Sequence, residues 1–125
     1  MANSQFRSKK KITGSKYIAG RKKRLSELGG IPTLTHIGKA RLKVKRVMGG
    51  NIKKSLLSND TVYVADSKNK TAAHKILSVI NNPANVNFTR RNIITKGCIV
   101  KTEKGNVMIT SRPGQDGTLF GVFTE

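Results

Sequence analysis

The residues of this sequence best suited to chemistry are its lysines and arginines, which fall into four groups. These are Lys9–Lys11, Arg21–Arg24, an alternating set between Lys39 and Arg46, and the pair Lys53 and Lys54. Arginine offers a phosphate a forked pair of hydrogen bonds, and lysine offers it a point charge. Four such groups with few acids between them predict a polyanionic partner, and nucleic acid is the leading candidate.

The positive charge is concentrated in the first 54 residues. The chain of 125 residues carries 25 Lys and Arg against 6 Asp and Glu, a net charge of +19. Residues 1–54 hold 16 of the cations and one acid, Glu27, whereas residues 55–125 hold 9 cations and 5 acids. The basic part contains only two aromatic residues, Phe6 and Tyr17, so contacts to phosphate and RNA shape are favoured over base stacking. No basic segment has the broad apolar helical face that membrane binding needs, so no membrane partner is expected.

Groups that could support catalysis or hold a metal are few and poorly spaced. His36 and His74 are the only histidines, and neither lies in a metal-ligand motif. Cys98 lies in an apolar run, which favours a buried small side chain, and Asp60 and Asp66 flank a β-rich run, where turn and capping roles are commoner. We therefore expect no enzyme activity, no cofactor, no metal and no small-molecule substrate. The single Cys excludes an internal disulfide and favours a cytoplasmic location.

The elements that must position the cations differ along the chain. Glycines interrupt the basic runs of the first 30 residues, which predicts an irregular extension with at most one helical turn near Ser26. From Thr33 the pattern has period two, and the cations alternate with Ala40, Leu42 and Val44. In a strand this alternation places cations on one face and apolar side chains on a core face. The break at Arg46 indicates a bulge or the end of the strand.

The second half of the chain consists of short β-rich runs separated by turns. The runs occur around residues 61–65, 86–88, 92–95, 98–100, 107–109 and 118–123, with loops predicted at 66–69, 103–106 and 113–117. Such spacing is typical of an antiparallel barrel or sandwich. Residues 72–80 fit a helix or a strand, and their β-branched Ile76, Val79 and Ile80 favour the strand.

Several peptides, in their order and spacing, resemble one known family. They are Thr13-Gly14, Arg21–Arg24 with Glu27-Leu28-Gly29, Thr35–Gly38, Gly49-Gly50-Asn51, Asn82-Pro83, Lys96-Gly97 with Ile99-Val100, and Thr110–Gly117. Together they resemble the ribosomal protein S8e family of the small ribosomal subunit over essentially the whole chain. The eukaryotic branch of that family carries a long central insertion, and its absence here makes the chain similar to the archaeal form.

The resemblance implies a mainly β protein, a small antiparallel β-barrel with a long basic, irregular N-terminal extension. It implies a structural ribosomal protein that binds small-subunit rRNA and neighbouring ribosomal proteins, supports translation and has no catalytic role. We expect residues 1–32 to form the basic rRNA-binding extension and residues 33–125 to form the barrel domain. The alternative from composition alone is a non-ribosomal basic RNA-binding protein, such as an RNA chaperone or a chromatin-associated binder.

The expected RNA-binding residues are the cations of the four groups, the isolated cations near them and one arginine of the closing motif. They are Arg7, Lys9, Lys10, Lys11, Lys16, Arg21, Lys22, Lys23, Arg24, Lys39, Arg41, Lys43, Lys45, Arg46, Lys53, Lys54 and Arg112.

Overall fold

The computed structural model describes residues 8–18, 20–65 and 70–124. The chain divides into two compact units, Met1–Pro32 and Thr33–Glu125. The described part of the first unit is irregular apart from a 3-10 turn at Leu25–Glu27 and a single antiparallel bridge between Lys10 and Lys16. The predicted loop at 66–69 lies outside the described residues.

The second unit contains nine strands and two short helices among the residues described. The strands are β1 (Thr35–His36), β2 (Arg41–Arg46), β3 (Ile52–Ser58), β4 (Thr61–Ala65), β5 (Thr71–Asn81), β6 (Ile93–Ile94), β7 (Ile99–Thr102), β8 (Asn106–Ile109) and β9 (Phe120–Phe123). The helices are α1 (Val86–Arg90) and α2 (Pro113–Asp116), and a 3-10 turn at Met48–Gly50 joins β2 to β3.

Five of the strands close into a barrel in the order β4-β5-β7-β8-β9, which confirms the predicted mainly β fold and its small barrel. One pair departs from the antiparallel expectation, since β4 and β9 run parallel and pair Tyr63 with Phe120. The departure has a geometric reason, because a ring with an odd number of strands cannot alternate in direction all the way round. The remaining strands form a second sheet in the order β2-β3-β1-β6.

The barrel interior holds the apolar core, and alternation along each strand supplies it. The fully buried side chains include Val62 and Val64 of β4, Val100 of β7 and Val107 of β8. The residues next to them in each strand point outward and are more exposed. Leu119, Cys98 and Ile94 complete the same cluster from the connecting segments and from β6. Burial raises the pKa of the Cys98 thiol, which agrees with the interpretation of this residue as a buried small side chain.

Residues 72–80 form a strand, as their β-branched side chains favour, and a bulge explains their helix-like spacing. In β5, His74 and Ile76 are buried with a period of two, but the next buried residue is Val79. The pairing of β5 with β7 shifts register between Ile76 and Ser78. The shift moves the apolar phase by one residue, which produces a spacing that a helix would also show.

Two local predictions are wrong, and capping explains both. Residues 86–88 form α1 rather than a strand, because the Asn85 side chain accepts a hydrogen bond from the Asn87 N–H at 2.9 Å and starts a helical turn. The loop predicted at 113–117 is also wrong, because residues 113–116 form α2. Pro113 suits the first turn of a helix, and the Asp116 carboxylate accepts a hydrogen bond from the Arg112 N–H at 2.7 Å.

Candidate nucleic-acid interface

The ribbon formed by β2 and β3 brings cations from two of the predicted groups onto one face. In the antiparallel register Lys43 lies opposite Ser55, and Lys45 lies opposite Lys53. Opposite residues share a face, and so do residues two apart along a strand. Lys43, Lys45, Lys53 and Ser55 therefore form one surface, which we call the cationic ribbon face.

Like charges stand directly across from each other on the cationic ribbon face. Cβ atoms of opposite residues lie about 5 Å apart in such pairs, and like charges in this position are destabilising. Lys45 and Lys53 hold this arrangement, and neither of them forms an ion pair with any residue that the structure describes. The Lys53 ammonium donates a hydrogen bond to the side-chain oxygen of Gln115 at 3.1 Å, which is a neutral partner. An anion placed over this face would relieve the repulsion.

The opposite ribbon face carries Leu42, Val44 and Ile52 together with Arg46 and Lys54. The sequence predicted that Leu42 and Val44 face the core, and this prediction is wrong. Leu42 is 51 % exposed and Val44 is 60 % exposed. The reason lies in the architecture, because β2 is the outermost strand of its sheet, and the end of α2 at Gly117 reaches Leu42 and Lys54 without burying this face. The strand also begins at Arg41, so Lys39 precedes it, and it ends at Arg46 as the break in pattern predicted.

The short helix α2 holds the ribbon in place. The Ser55 hydroxyl donates a hydrogen bond to the Gly114 carbonyl at 2.8 Å, beside the contact between Lys53 and Gln115. Gly117 ends α2 with a φ of +70°, and a Cβ added there would stand 3.0 Å from the Lys54 Cβ. Sequence reasoning missed this support. The sequence marks this segment only by the distinctive run Thr110–Gly117, whose last five residues predict a loop.

The first unit presents its lysines on a tight turn. Lys10 and Lys16 form the antiparallel bridge, and the Lys11 N–H donates to the Ser15 carbonyl at 2.8 Å to close the turn. The Lys11 ammonium lies 5.7 Å from the centre of the Tyr17 ring, a cation–π geometry. The turn therefore carries Lys10, Lys11 and Lys16 within seven residues of chain.

Arg21 differs from the other predicted site residues because its guanidinium contacts both oxygens of a carboxylate. Its two terminal nitrogens donate to Glu27 at 2.6 Å and 3.0 Å, and Glu27 also accepts the Arg24 N–H at 3.0 Å. The hydrogen bonds from Arg21, followed by the one from Arg24, lower the pKa of Glu27 to about 2, and the Glu27 carboxylate in turn raises the pKa of Arg21. Arg21 therefore braces the 3-10 turn that follows it.

All the predicted site residues that the structure describes are exposed, and they occur in both units. Those of the first unit are Lys9, Lys10, Lys11, Lys16, Arg21, Lys22, Lys23 and Arg24, and those of the second are Lys39, Arg41, Lys43, Lys45, Arg46, Lys53, Lys54 and Arg112. Arg7 lies outside the described residues. Lys53 and Lys54, adjacent in sequence, lie on opposite faces of the ribbon, and Arg112 stands at the start of α2.

The described residues provide neither a metal-binding cluster nor a membrane-spanning helix. No group of three or more His, Cys, Asp or Glu there is placed to hold a metal ion. None of the helices described has the length and apolar character required to cross a membrane.

The fold and the ribbon define a small, strongly basic β-barrel protein with an accessible cationic surface. Comparison with known proteins gives its family, because the family model described as "Ribosomal protein S8e" matches residues 4–124. The chain belongs to the ribosomal protein S8e family, as its sequence markers predicted.

Individual relatives match at nearly full length. The chain is 49 % identical over 122 residues to the "Small ribosomal subunit protein eS8" of Nanoarchaeum equitans, covering 97 % of this chain and 96 % of that protein. It is 46 % identical over 123 residues to the protein of the same name from Methanobrevibacter smithii, covering 98 % of each. The protein of that name from Methanocorpusculum labreanum is 46 % identical over 97 % of this chain and 98 % of its own length.

Proposed function

We propose that this chain is a structural constituent of the small ribosomal subunit, where it binds small-subunit rRNA through its exposed cations and supports translation in the cytoplasm. Its relatives carry the name of a small-subunit protein, which supports the location. The function needs no catalytic group, cofactor or small-molecule substrate. The partners are the rRNA and neighbouring proteins of the subunit.

The observation that carries the RNA-binding proposal is the cross-strand pair of Lys45 and Lys53. An isolated protein gains nothing from two ammonium groups held side by side, because they repel each other. A phosphate backbone over this face converts the repulsion into attraction for both lysines and for Lys43, and it releases counterions from the RNA. The arrangement is therefore suited to a polyanion, and the closed barrel and α2 fix its position.

The chemistry of the ribbon favours contacts to the backbone over base readout. Lysine ammoniums are compact point charges without the planar fork that reads a base edge in two places. Lys43 and Lys45 lie about 6.6 Å apart along β2, as expected for residues two apart in a strand. The cationic ribbon face can therefore follow a run of phosphates without regard to sequence, which suits a folded RNA recognised by shape.

The first unit supplies the second set of phosphate contacts in this proposal. Lys10, Lys11 and Lys16 are presented by the tight turn, and Lys22, Lys23 and Arg24 follow it. Arg21 contributes by holding the turn through Glu27, so we expect it to position Arg24 more than to bind phosphate itself.

Sedimentation of purified small subunits in high salt tests the proposal. We expect the full chain to stay with the small-subunit peak and the triple variant K43Q/K45Q/K53Q to be depleted from it. The matched control K70Q/K96Q/K104Q also removes three exposed cations, but from outside the ribbon, and should be retained. Absence of the unmodified chain from the peak would overturn the ribosomal location, and equal retention of both triple variants would overturn the role of the ribbon.

A further inference from the structure

The outside of the barrel carries an apolar surface that the RNA-binding proposal does not use. Alternate residues of four neighbouring strands point outward there, and the residues next to them in sequence point into the core. The members are Tyr63 of β4, Ile99 of β7, Met108 of β8, and Phe120 and Val122 of β9. We call these five residues the outer barrel patch.

Strand register makes the outer barrel patch continuous. Tyr63 lies opposite Phe120 across the parallel pair, and their ring centres are 5.8 Å apart. Val122 lies opposite Met108, and Met108 lies opposite Ile99. Tyr63, Met108, Phe120 and Val122 are each between 38 % and 46 % exposed. Because they are also neighbours across the strands, they form one contiguous surface. Contiguous apolar surfaces of this kind mark sites of interaction.

The uncharged patch and the net charge of the chain together indicate which kind of molecule can bind there. None of the five members is charged, so phosphate finds no counterion at the centre of the patch. A second copy of this chain would bring two net charges of +19 together, which repel. Interface cores between different proteins are enriched in Tyr, Phe and Met and depleted in charged residues, which is the composition found here.

Two lysines lie beside the patch on the neighbouring strands β5 and β7, which pair Ile76 with Thr102. Lys75 is two residues beyond Ala73, which lies opposite Tyr63, and Lys101 is two residues beyond Ile99. Both are exposed on the outer side of the barrel. We propose that the outer barrel patch docks an apolar segment of another protein in the small subunit, and that this segment carries carboxylates next to its apolar residues, facing Lys75 and Lys101. The inference rests on the proposed function and assigns a surface to its protein partner.

Site-specific photocrosslinking within purified, salt-washed small subunits tests this inference. A benzophenone amino acid replaces Phe120 in the full chain, and a control chain carries it at Val86, which is 85 % exposed but lies on α1 outside the patch. We expect a crosslink from position 120 to one subunit protein and none to that protein from position 86. A crosslink from position 120 to rRNA or to a second copy of this chain, or no crosslink, would overturn the inference.

A second variant links the crosslink to the apolar surface itself. Met108→Asp should lower the yield of the same crosslink about tenfold, because it places a carboxylate in the patch where burial of a charge is unfavourable. Its affinity for rRNA should change by less than about twofold, because substitutions at distant sites without shared partners act independently. Val122→Thr, which keeps nearly the same volume, serves in its place where a melting curve shows that Met108→Asp unfolds the barrel. An unchanged yield in the folded variant contradicts the inference, whereas absence of the unmodified chain from the subunit peak contradicts the proposed function.

Discussion

The barrel and the β2–β3 ribbon are both built from strands with alternating side chains, yet only the barrel buries its apolar ones. Val64 of the barrel is fully buried, whereas Val44 of the ribbon is 60 % exposed. The barrel closes on itself, so each inward side chain meets others from across the ring. The ribbon ends in an outermost strand and is held mainly at β3 by α2. Alternation thus reports the period of a strand, and the neighbouring layer decides whether the apolar face is buried.

The two regions also differ in how they carry charge. Barrel strands point uncharged side chains inward, while the ribbon places Lys45 opposite Lys53. The barrel supplies the buried core of the unit, so the ribbon can hold a repulsive arrangement, which serves RNA binding in the proposed function. The comparison predicts that substitutions in the barrel change stability and that substitutions in the ribbon change binding.

The largest expected effect is that of Gly121→Ala in the barrel. An added Cβ would stand 2.8 Å from the Met108 carbonyl oxygen and would collide with the Val107 side chain. Because backbone lies in the way, we expect a loss of about 3 kcal/mol in the free energy of unfolding. Urea denaturation measures it, and Gly20→Ala is the control, because a Cβ there meets nothing within 4 Å. Equal stability of Gly121→Ala and the unmodified chain would mean that β9 does not close the barrel as described.

The same substitution in the two regions tests the comparison directly. Val64→Ala should lower the free energy of unfolding by about 2 kcal/mol, because it removes two buried carbons and leaves a cavity. Val44→Ala should lower it by less than about 1 kcal/mol, since its side chain already contacts water. Matched denaturation curves of the two variants give the difference. A larger loss for Val44→Ala would show that the ribbon packs against a layer after all.

Removing the ribbon cations should leave the barrel folded. The variant K43Q/K45Q/K53Q relieves the cross-strand repulsion, so we expect the free energy of unfolding to rise by about 0.2–1 kcal/mol. Raising the salt concentration should shrink this gain, because exposed charges are screened. Thermal melts at low and high salt measure both effects. A net loss of stability would mean that these lysines stabilise the ribbon in the free protein and do not repel each other as described.

The smallest effect is expected from the ion pair of the first unit. The pKa of Glu27 is lowered from 4.5 to about 2, so its carboxylate stays ionised as the pH falls below 4.5. A depressed pKa gives stabilisation that is present above 4.5 and lost as the pH falls through about 2. An NMR titration of the Glu27 carboxyl carbon should find its midpoint near 2, and Arg21→Gln should move the midpoint towards 4.5. A midpoint near 4.5 in the unmodified chain would contradict the pairing.

The sequence predicted the parts of the fold that depend on local pattern. The hairpin around residues 103–106 forms between β7 and β8, and residues 61–65 form β4 as their β-branched run favours. The family markers predicted the barrel, which no single run specifies. Residues 86–88 and 113–116 were assigned wrongly, because capping by Asn85 and Asp116 overrides a weak propensity in such short segments.

The candidate site was predictable in its residues but not in its arrangement. Charge clustering selected Lys43, Lys45 and Lys53 without showing that the first two share a face with the third. That placement depends on the register between β2 and β3, which the 3-10 turn at Met48–Gly50 sets and a hydrophobic pattern alone does not. The burial expected for Leu42 failed for a related reason, since only the tertiary fold shows which face of the ribbon is covered.

The most direct test of the account is the salt dependence of binding to small-subunit rRNA. Neutralising about ten phosphates on a duplex-like target predicts a fall of log K with log salt at a slope near −9, about 0.9 for each phosphate. The variant K43Q/K45Q/K53Q should have a slope shallower by about 3, while K70Q/K96Q/K104Q should keep the slope of the unmodified chain. A slope shallower than about −3 for the unmodified chain, or equal slopes for the two triple variants, would contradict the claim that the ribbon binds the phosphate backbone.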